Sequence, residues 1–135
     1  MKALNTAIYS RLNGATALTA LLAGATSIYA LQAPEAAAYP YVVYNVQGGG
    51  DTNDTQNRVK DLVVFVRGYS KLGNAQAGSI DAQIDTALHL VPFTVSGWTD
   101  IWLARETDLE TVENPPTGGQ IWMNGGLYRV ILDKE

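Results

Sequence analysis

Apolar residues recur at fixed spacings along this chain, and the spacing changes from one segment to the next. Leu4, Ile8 and Leu12 return every four residues, with Ala7 beside them and Arg11 off the stripe. That pattern predicts a helix with one apolar face, stopped at Asn13-Gly14. Thr16 is placed to cap a second, short helix carrying Leu18, Leu21 and Leu22 and ending at Gly24. Ile28-Tyr29 reads as a brief extended piece, and the Ala-rich stretch between Pro34 and Pro40 as a loop. The period then drops to two. Tyr41–Val46 (YVVYNV) has the β-branched and aromatic content of a strand, and Val59–Tyr69 (VKDLVVFVRGY) is a stronger one. In the second strand Leu62, Val64 and Val66 share one face, while Asp61, Val63, Phe65 and Arg67 share the other. Only the first face is uniformly apolar.

Asn74 is placed to cap a third helix running to about Leu90, with Ile80, Ile84, Ala87, Leu88 and Val91 as its buried stripe and Pro92 beyond its end. Trp98–Leu109 reads as a long strand, followed by a turn at residues 114–119. Gln120–Met123, a turn at Asn124-Gly125-Gly126 and a last strand Leu127–Leu132 complete the chain. The expected fold class is α+β, in the order α-α-β-β-α-β-β. A mostly antiparallel sheet of four or five strands carries two or three helices packed on one face, in a single domain spanning residues 1–135. Helices on one face leave the other showing Val63 and Phe65. Contiguous apolar surface of that kind usually marks an interface.

The 135 residues are 47% hydrophobic and 16% charged, with a net charge of −4 and a pI near 4.8. That balance argues against tight binding to phosphate backbones, which needs clustered Lys and Arg. The charge is uneven: residues 1–73 hold six Lys/Arg against four Asp/Glu, and residues 74–135 hold three against nine. Such a division suits head-to-tail contact between identical subunits, and equally suits scattered solubilising charge. There is no cysteine and only one histidine, which excludes thiol catalysis, disulfides, thiolate metal sites and multi-His zinc sites. Ala15–Ala33 is apolar, with a small-residue pattern at Ala23-Gly24-Ala25 that suggests a leader peptide. Thr16, Thr19, Gly24, Thr26 and Ser27 dilute it, and no stretch is long enough to span a membrane.

The segment QGGGDTNDTQNR, Gln47 to Arg58, invites a chemical reading. A phosphate cradle needs Lys and Ser/Thr after the last glycine and then a helix. Here Asp51 follows Gly48-Gly49-Gly50, and a strand comes next. In a calcium-loop register Asp51, Asn53 and Thr55 fall at positions one, three and five, but Gln56 stands where Gly is required and Leu62 where Glu is required. The reading that survives is a long, polar hairpin tip, poorly ordered in an isolated subunit. Asp81, Asp85 and His89 form an i, i+4, i+8 stripe that could hold a metal or move a proton; a solvated outer helix face accounts for it better. No G-x-S-x-G elbow exists. The carboxylates from Arg105 to Glu110 sit at a strand end, where charge is usual. Trp98, Trp102 and Trp122 suit either a sugar- or peptide-binding groove or packing at the sheet and an interface. No catalytic residue, cofactor or metal site is assigned.

The stretch IYSRLNGATALTALLAGATSIYALQAPEAAAYPYVVYNV resembles the start of the tail completion proteins of long-tailed bacteriophages, a group that includes the tail terminator, or tail-to-head joining protein. A helix precedes a short second helix with an L-T-A-L flavour. A brief I-Y strand follows, then a loop ending in Pro40 to Tyr44, a long hairpin, a helix and C-terminal strands. The resemblance covers residues 4–90 and is topological beyond; the Trp-rich C-terminal part has no match in it. It implies a non-enzymatic structural protein of the virion tail or neck, assembled in the host cytoplasm. The protein would form a homo-oligomeric ring, commonly a hexamer. Its partners would be the tail tube protein and a head-completion or connector protein, with DNA passing through the lumen without specific binding and no membrane involved. Exposure and charge nominate the subunit or tail-tube contacts: Gly48, Gly49, Gly50, Asp51, Asn53, Asp54, Arg58, Val63, Phe65, Arg67, Arg105, Glu106, Asp108, Glu110 and Glu113. The alternatives are another neck, head-completion or minor tail protein of similar fold, or a small monomeric carbohydrate- or peptide-binding domain.

Overall fold

The computed structural model describes residues 1–54 and 56–135. Helix α1 spans Lys2–Asn13 and buries Leu4, Ala7, Ile8 and Leu12, the stripe expected from the four-residue spacing. Helix α2 is a single turn, Thr16–Thr19. Thr16 is its first helical residue and not its cap; Ala15 holds the cap position without a side-chain bond. Strands β1 (Ile28–Ala30), β2 (Tyr41–Thr52) and β3 (Val59–Ser70) follow, then helix α3 (Asn74–Leu88) and strands β4 (Trp98–Glu113) and β5 (Ile121–Lys134). They form one five-stranded sheet in the order β1-β2-β3-β5-β4. All pairings are antiparallel except β1 with β2, which is parallel.

The register sorts the side chains into two faces. Val42, Tyr44, Leu62, Val64, Val66, Tyr128, Val130 and Leu132 lie on the inner face and pack with Leu4, Ile8, Leu12, Leu18, Ile80, Ile84 and Leu88 of the three helices in one core. Alternation in β3 is followed to its end, so that even-numbered residues from Leu62 to Ser70 are buried and odd-numbered ones half-buried. Helix α3 comes close to the sheet because β3 has no side chain where the two meet: a Cβ on Gly68 would stand 3.2 Å from the Cβ of Ile80.

Three further expectations need correction. First, Gln47–Thr52 is not loop: β2 continues through it, with Gly48 to Thr52 paired to Val63 to Val59 and a bulge at Gln47 absorbing one residue. The segment between the two paired stretches is therefore 53–58, and Thr55 lies outside the described residues. Second, Asn124-Gly125-Gly126 is not a turn but the middle of β5, paired on both sides. The glycines are there for lack of room. A Cβ on Gly126 would collide with the Arg105 guanidinium, and one on Gly125 with the backbone and Cβ of Arg67. Third, α3 starts after Gly73, not from an Asn74 cap, and ends at Leu88. Asn74 instead accepts a hydrogen bond from the Asn124 side-chain amide at 2.7 Å.

Candidate functional site

The residues nominated for contact fall into three places. The first is the β2–β3 hairpin. Gly48, Gly49, Gly50 and Asp51 are strand residues, Asn53 and Asp54 lie at the tip, and Arg58 leads into β3. Asp51 is held by Lys60 at 2.9 Å and approached by Arg58 at 3.5 Å. Its pKa is lowered, first by the hydrogen bond from Lys60. Gly49 takes φ +102, and a Cβ there would run into the Asp61 carbonyl oxygen. Only glycine fits that position.

The second place is the outer face of the sheet. Val63, Phe65 and Arg67 from β3 stand beside Leu127, Arg129 and Ile131 from β5, all half-buried. The apolar surface is roofed by arginines. Arg67 lies 4.4 Å over the Phe65 ring and donates to Asn45 Oδ1 at 2.6 Å and Tyr69 Oη at 3.0 Å. Arg129 grips Asp61 through two hydrogen bonds of 3.0 and 2.7 Å, and Glu106 lies 4.0 Å beyond. That pairing holds the Asp61 carboxyl below its ordinary pKa. At the far end a cluster of Tyr29, Tyr39, Tyr41 and Tyr69, with ring centroids 4.7 to 5.8 Å apart, closes the face under the 31–40 loop. A cleft of about 270 Å³ there is lined by Leu31, Tyr39, Tyr41, Arg67, Tyr69 and Glu113.

The third place is β4. Asp108 and Glu110 point to the helix side, as their pairing with Gly126 and Asn124 requires, whereas Glu113 faces outward. Arg105 turns inward. Its side chain keeps 13% of its exposure and bridges Asp81 at 2.5 Å, Asp108 at 3.1 Å and Asp85 at 3.7 Å. Tyr128 donates to Asp85 at 3.1 Å, and burial first of all raises its pKa. His89 has left the helix, and its Nδ1 accepts the Arg105 backbone N–H at 3.0 Å. The Asp81-Asp85-His89 stripe is thus not a solvated face. It is the seat on which Arg105 anchors β4, and among the described residues no group of acidic, His or Cys side chains is arranged to hold a metal. The signal for this seat was in the sequence: Gly126 in a strand marks a close approach, here of the Arg105 guanidinium.

The tryptophans do not converge. Trp98 pairs with Lys134 at one end of β5 and Trp122 with Ser70 at the other. Trp102 is 43% exposed, opposite Ile131 on the outer face. A groove lined by all three is therefore absent. No helix among the described residues is long and apolar enough to cross a membrane.

Among curated proteins no sequence matches. Of the solved structures, one chain from the "virion of native gene transfer agent (GTA) particle" superposes with a TM-score of 0.80 at 18% identity, covering 96% of this chain and 94% of that one. At that identity the likeness shows the shared fold. The profile of the tail completion protein gp17 family matches residues 6–124, well past the segment whose motifs resembled such proteins and into β5. The chain belongs to the tail completion protein gp17 family, structural proteins of the phage virion tail.

Proposed function

We propose that the protein forms a closed ring, six subunits in the family's manner, on the end of the finished tail tube. There it stops further polymerisation and offers its opposite surface to a connector protein of the head. Membership of the tail completion family supports the place of action. The observation that carries the assembly is the outer sheet face, where Val63, Phe65, Leu127 and Ile131 stand in rows under a roof of Arg67 and Arg129 with no helix over them. Arg58 and the tip residues Asn53 and Asp54 are placed to reach a neighbour or the tube, as are Glu106, Asp108, Glu110 and Glu113 along β4. Arg105 is enclosed within the subunit and serves to hold β4 in position. The net charge of −4 suits a lumen through which DNA must slide without adhering.

The mechanism is geometric. Subunits buried against one another expose two different ring surfaces, and neither repeats the surface that adds the next tube ring. The test is tail length. Particles made without the protein should carry overlong tails or free tails without heads; normal tail lengths would exclude termination. The number of subunits per tail end, counted by mass or electron microscopy, checks the ring itself.

A further inference from the structure

The sheet has two open edges, and they are not alike. On one side β1 covers β2 only from Val42 to Tyr44, with the Leu31 N–H reaching the Tyr44 carbonyl as the last bond. Beyond it, the edge of β2 through Thr52 has no strand beside it. On the other side all of β4 lies at the edge. Bulges at Ile101 and Glu106 break the first part of β4, leaving Thr107–Glu113 as its longest regular stretch. A bare edge is a template for another strand, and proteins ordinarily guard it with charge, bulges or short length. β4 is guarded by two bulges and by acidic residues. β2 is guarded less: it has one bulge, at Gln47, and one charge, Asp51, which is already paired with Lys60, and between them its edge runs through Gly48-Gly49-Gly50.

Those glycines sharpen the point. Gly49 is required by its positive φ and by the Asp61 carbonyl. Gly48 and Gly50 are not, since neither has a positive φ and an added Cβ would meet nothing within 4 Å at either. Glycine in a strand interior weakens it unless another backbone approaches. Among the described residues none does.

We infer that the β2 edge at Gly48–Thr52 receives the β4 edge at Thr107–Glu113 of a second copy of this chain, joining neighbouring sheets edge to edge. The proposal rests on the ring reading and adds its contact. The charges favour this pairing over its rivals. β4 against β4 would set Asp108, Glu110 and Glu113 of one copy against the same residues of the other, which like charge opposes. The β2–β3 hairpin instead brings Arg58, whose side chain is 63% exposed, to the acidic strand, and the one carboxylate in its paired stretch, Asp51, is already held by Lys60. Pairing β2 with β2 would make a closed dimer and leave β4 unused, whereas a contact between unlike edges repeats around a ring. Direction also follows. β4 is antiparallel to β2 within the sheet, three antiparallel steps away. Rotation about a ring axis nearly parallel to the strands preserves that, so the junction is antiparallel. Facing follows too: Gly50 pairs with Asp61 and lies on the outer face, with Leu109 and Thr111, whereas Asp108 and Glu110 lie on the inner face.

The absence of cysteine from the chain makes the test direct. Gly50→Cys is combined in turn with Asp108→Cys, Leu109→Cys, Glu110→Cys and Thr111→Cys. Particles are assembled under reducing conditions and then oxidised. Leu109→Cys or Thr111→Cys should give a ladder of linked subunits up to the ring number, and the two inner-face positions should give none. Rings present on the tails with no ladder from any pair would overturn the edge contact and leave the ring standing. Dimers from Gly50→Cys alone would overturn it in favour of two β2 edges meeting. Wild-type subunits that sit singly on the tail end would remove the ring and this contact together.

Discussion

The two faces of the sheet are built from the same strands and differ mainly in what covers them. On the inner face Val42, Leu62, Val64, Val66, Tyr128, Val130 and Leu132 are all 5% exposed or less, because helices lie over them. On the outer face Val63, Phe65, Leu127 and Ile131 are nearly as apolar but remain half-exposed. There the covering is supplied by side chains of the sheet itself, with Arg67 laid across Phe65 and Arg129 folded back to Asp61. Long cationic side chains can shield apolar surface while keeping their charge in water. Such a cover lifts away when a partner arrives; a helix does not. The inner face is thus a folding surface and the outer face an assembly surface, and substitutions should separate the two functions.

The largest effect is expected on the inner face. Ile84 of α3 is fully buried where that helix packs on the inner face, so Ile84→Ala should cost about 2–5 kcal/mol of subunit stability, the usual range for such cavities. Urea denaturation of the isolated subunit measures it, and assembly should fail only because folding does. Arg105→Met comes next. It leaves Asp81 and Asp85 facing each other and Tyr128 without their shared cation. The cost should be about 2 kcal/mol, below the 3–5 kcal/mol of a fully buried pair because Asp85 and Asp108 still reach water. If the network were ornamental, denaturation midpoints of the variant and the wild type would coincide. Phe65→Ala reverses the order of effects: the isolated subunit should lose no more than about 1 kcal/mol, in keeping with partial burial, while incorporation into tails falls severely. Equal losses in folding and assembly would erase the distinction between the faces.

Sequence pattern reveals the inner face far better than the outer. Leu4-Ile8-Leu12, Ile80-Ile84-Leu88 and Leu62-Val64-Val66 are each legible because one side chain in two, or one in four, must be apolar to reach the core. What pattern hides is where glycine means proximity instead of a turn. Gly48-Gly49-Gly50 and Gly125-Gly126 look alike as text, and both were expected to interrupt strands. In the fold both lie within strands, Gly126 to admit the Arg105 guanidinium and Gly49 to pass the Asp61 carbonyl. The alternation from Leu127 to Leu132 could have been extended back through Met123, but nothing in the local pattern names Arg105 as the occupant. The Asp81-Asp85-His89 stripe is legible as a polar face. That it meets an arginine sixteen residues beyond His89 is a tertiary fact.

The smallest effect belongs to the outer-face ion pair, and its sign with pH is fixed by the geometry. The hydrogen bonds from Arg129 outweigh desolvation and keep the Asp61 carboxyl below its unfolded value near 4. A carboxyl depressed in the folded state contributes stability above the unfolded pKa and loses it as pH falls through the folded one. Asp61→Asn should therefore cost under about 1 kcal/mol at pH 7, since an exposed pair is worth little. The wild-type and variant curves should then draw together below about pH 4. Asp51, held by Lys60, gives the same slope and cancels in that difference. Asp100 works in the opposite sense: burial raises its pKa, so its protonated form favours the fold and its contribution falls as pH rises. Asp100→Asn should accordingly open a gap in its own favour toward neutral pH. Stability measured by urea between pH 3 and 7 reads both variants against the wild type. An Asp61→Asn curve that lies above the wild type at pH 7 would mean that the outer pair stabilises the subunit less than its burial costs. The arginine roof would then serve only as a cover held ready for the neighbouring subunit.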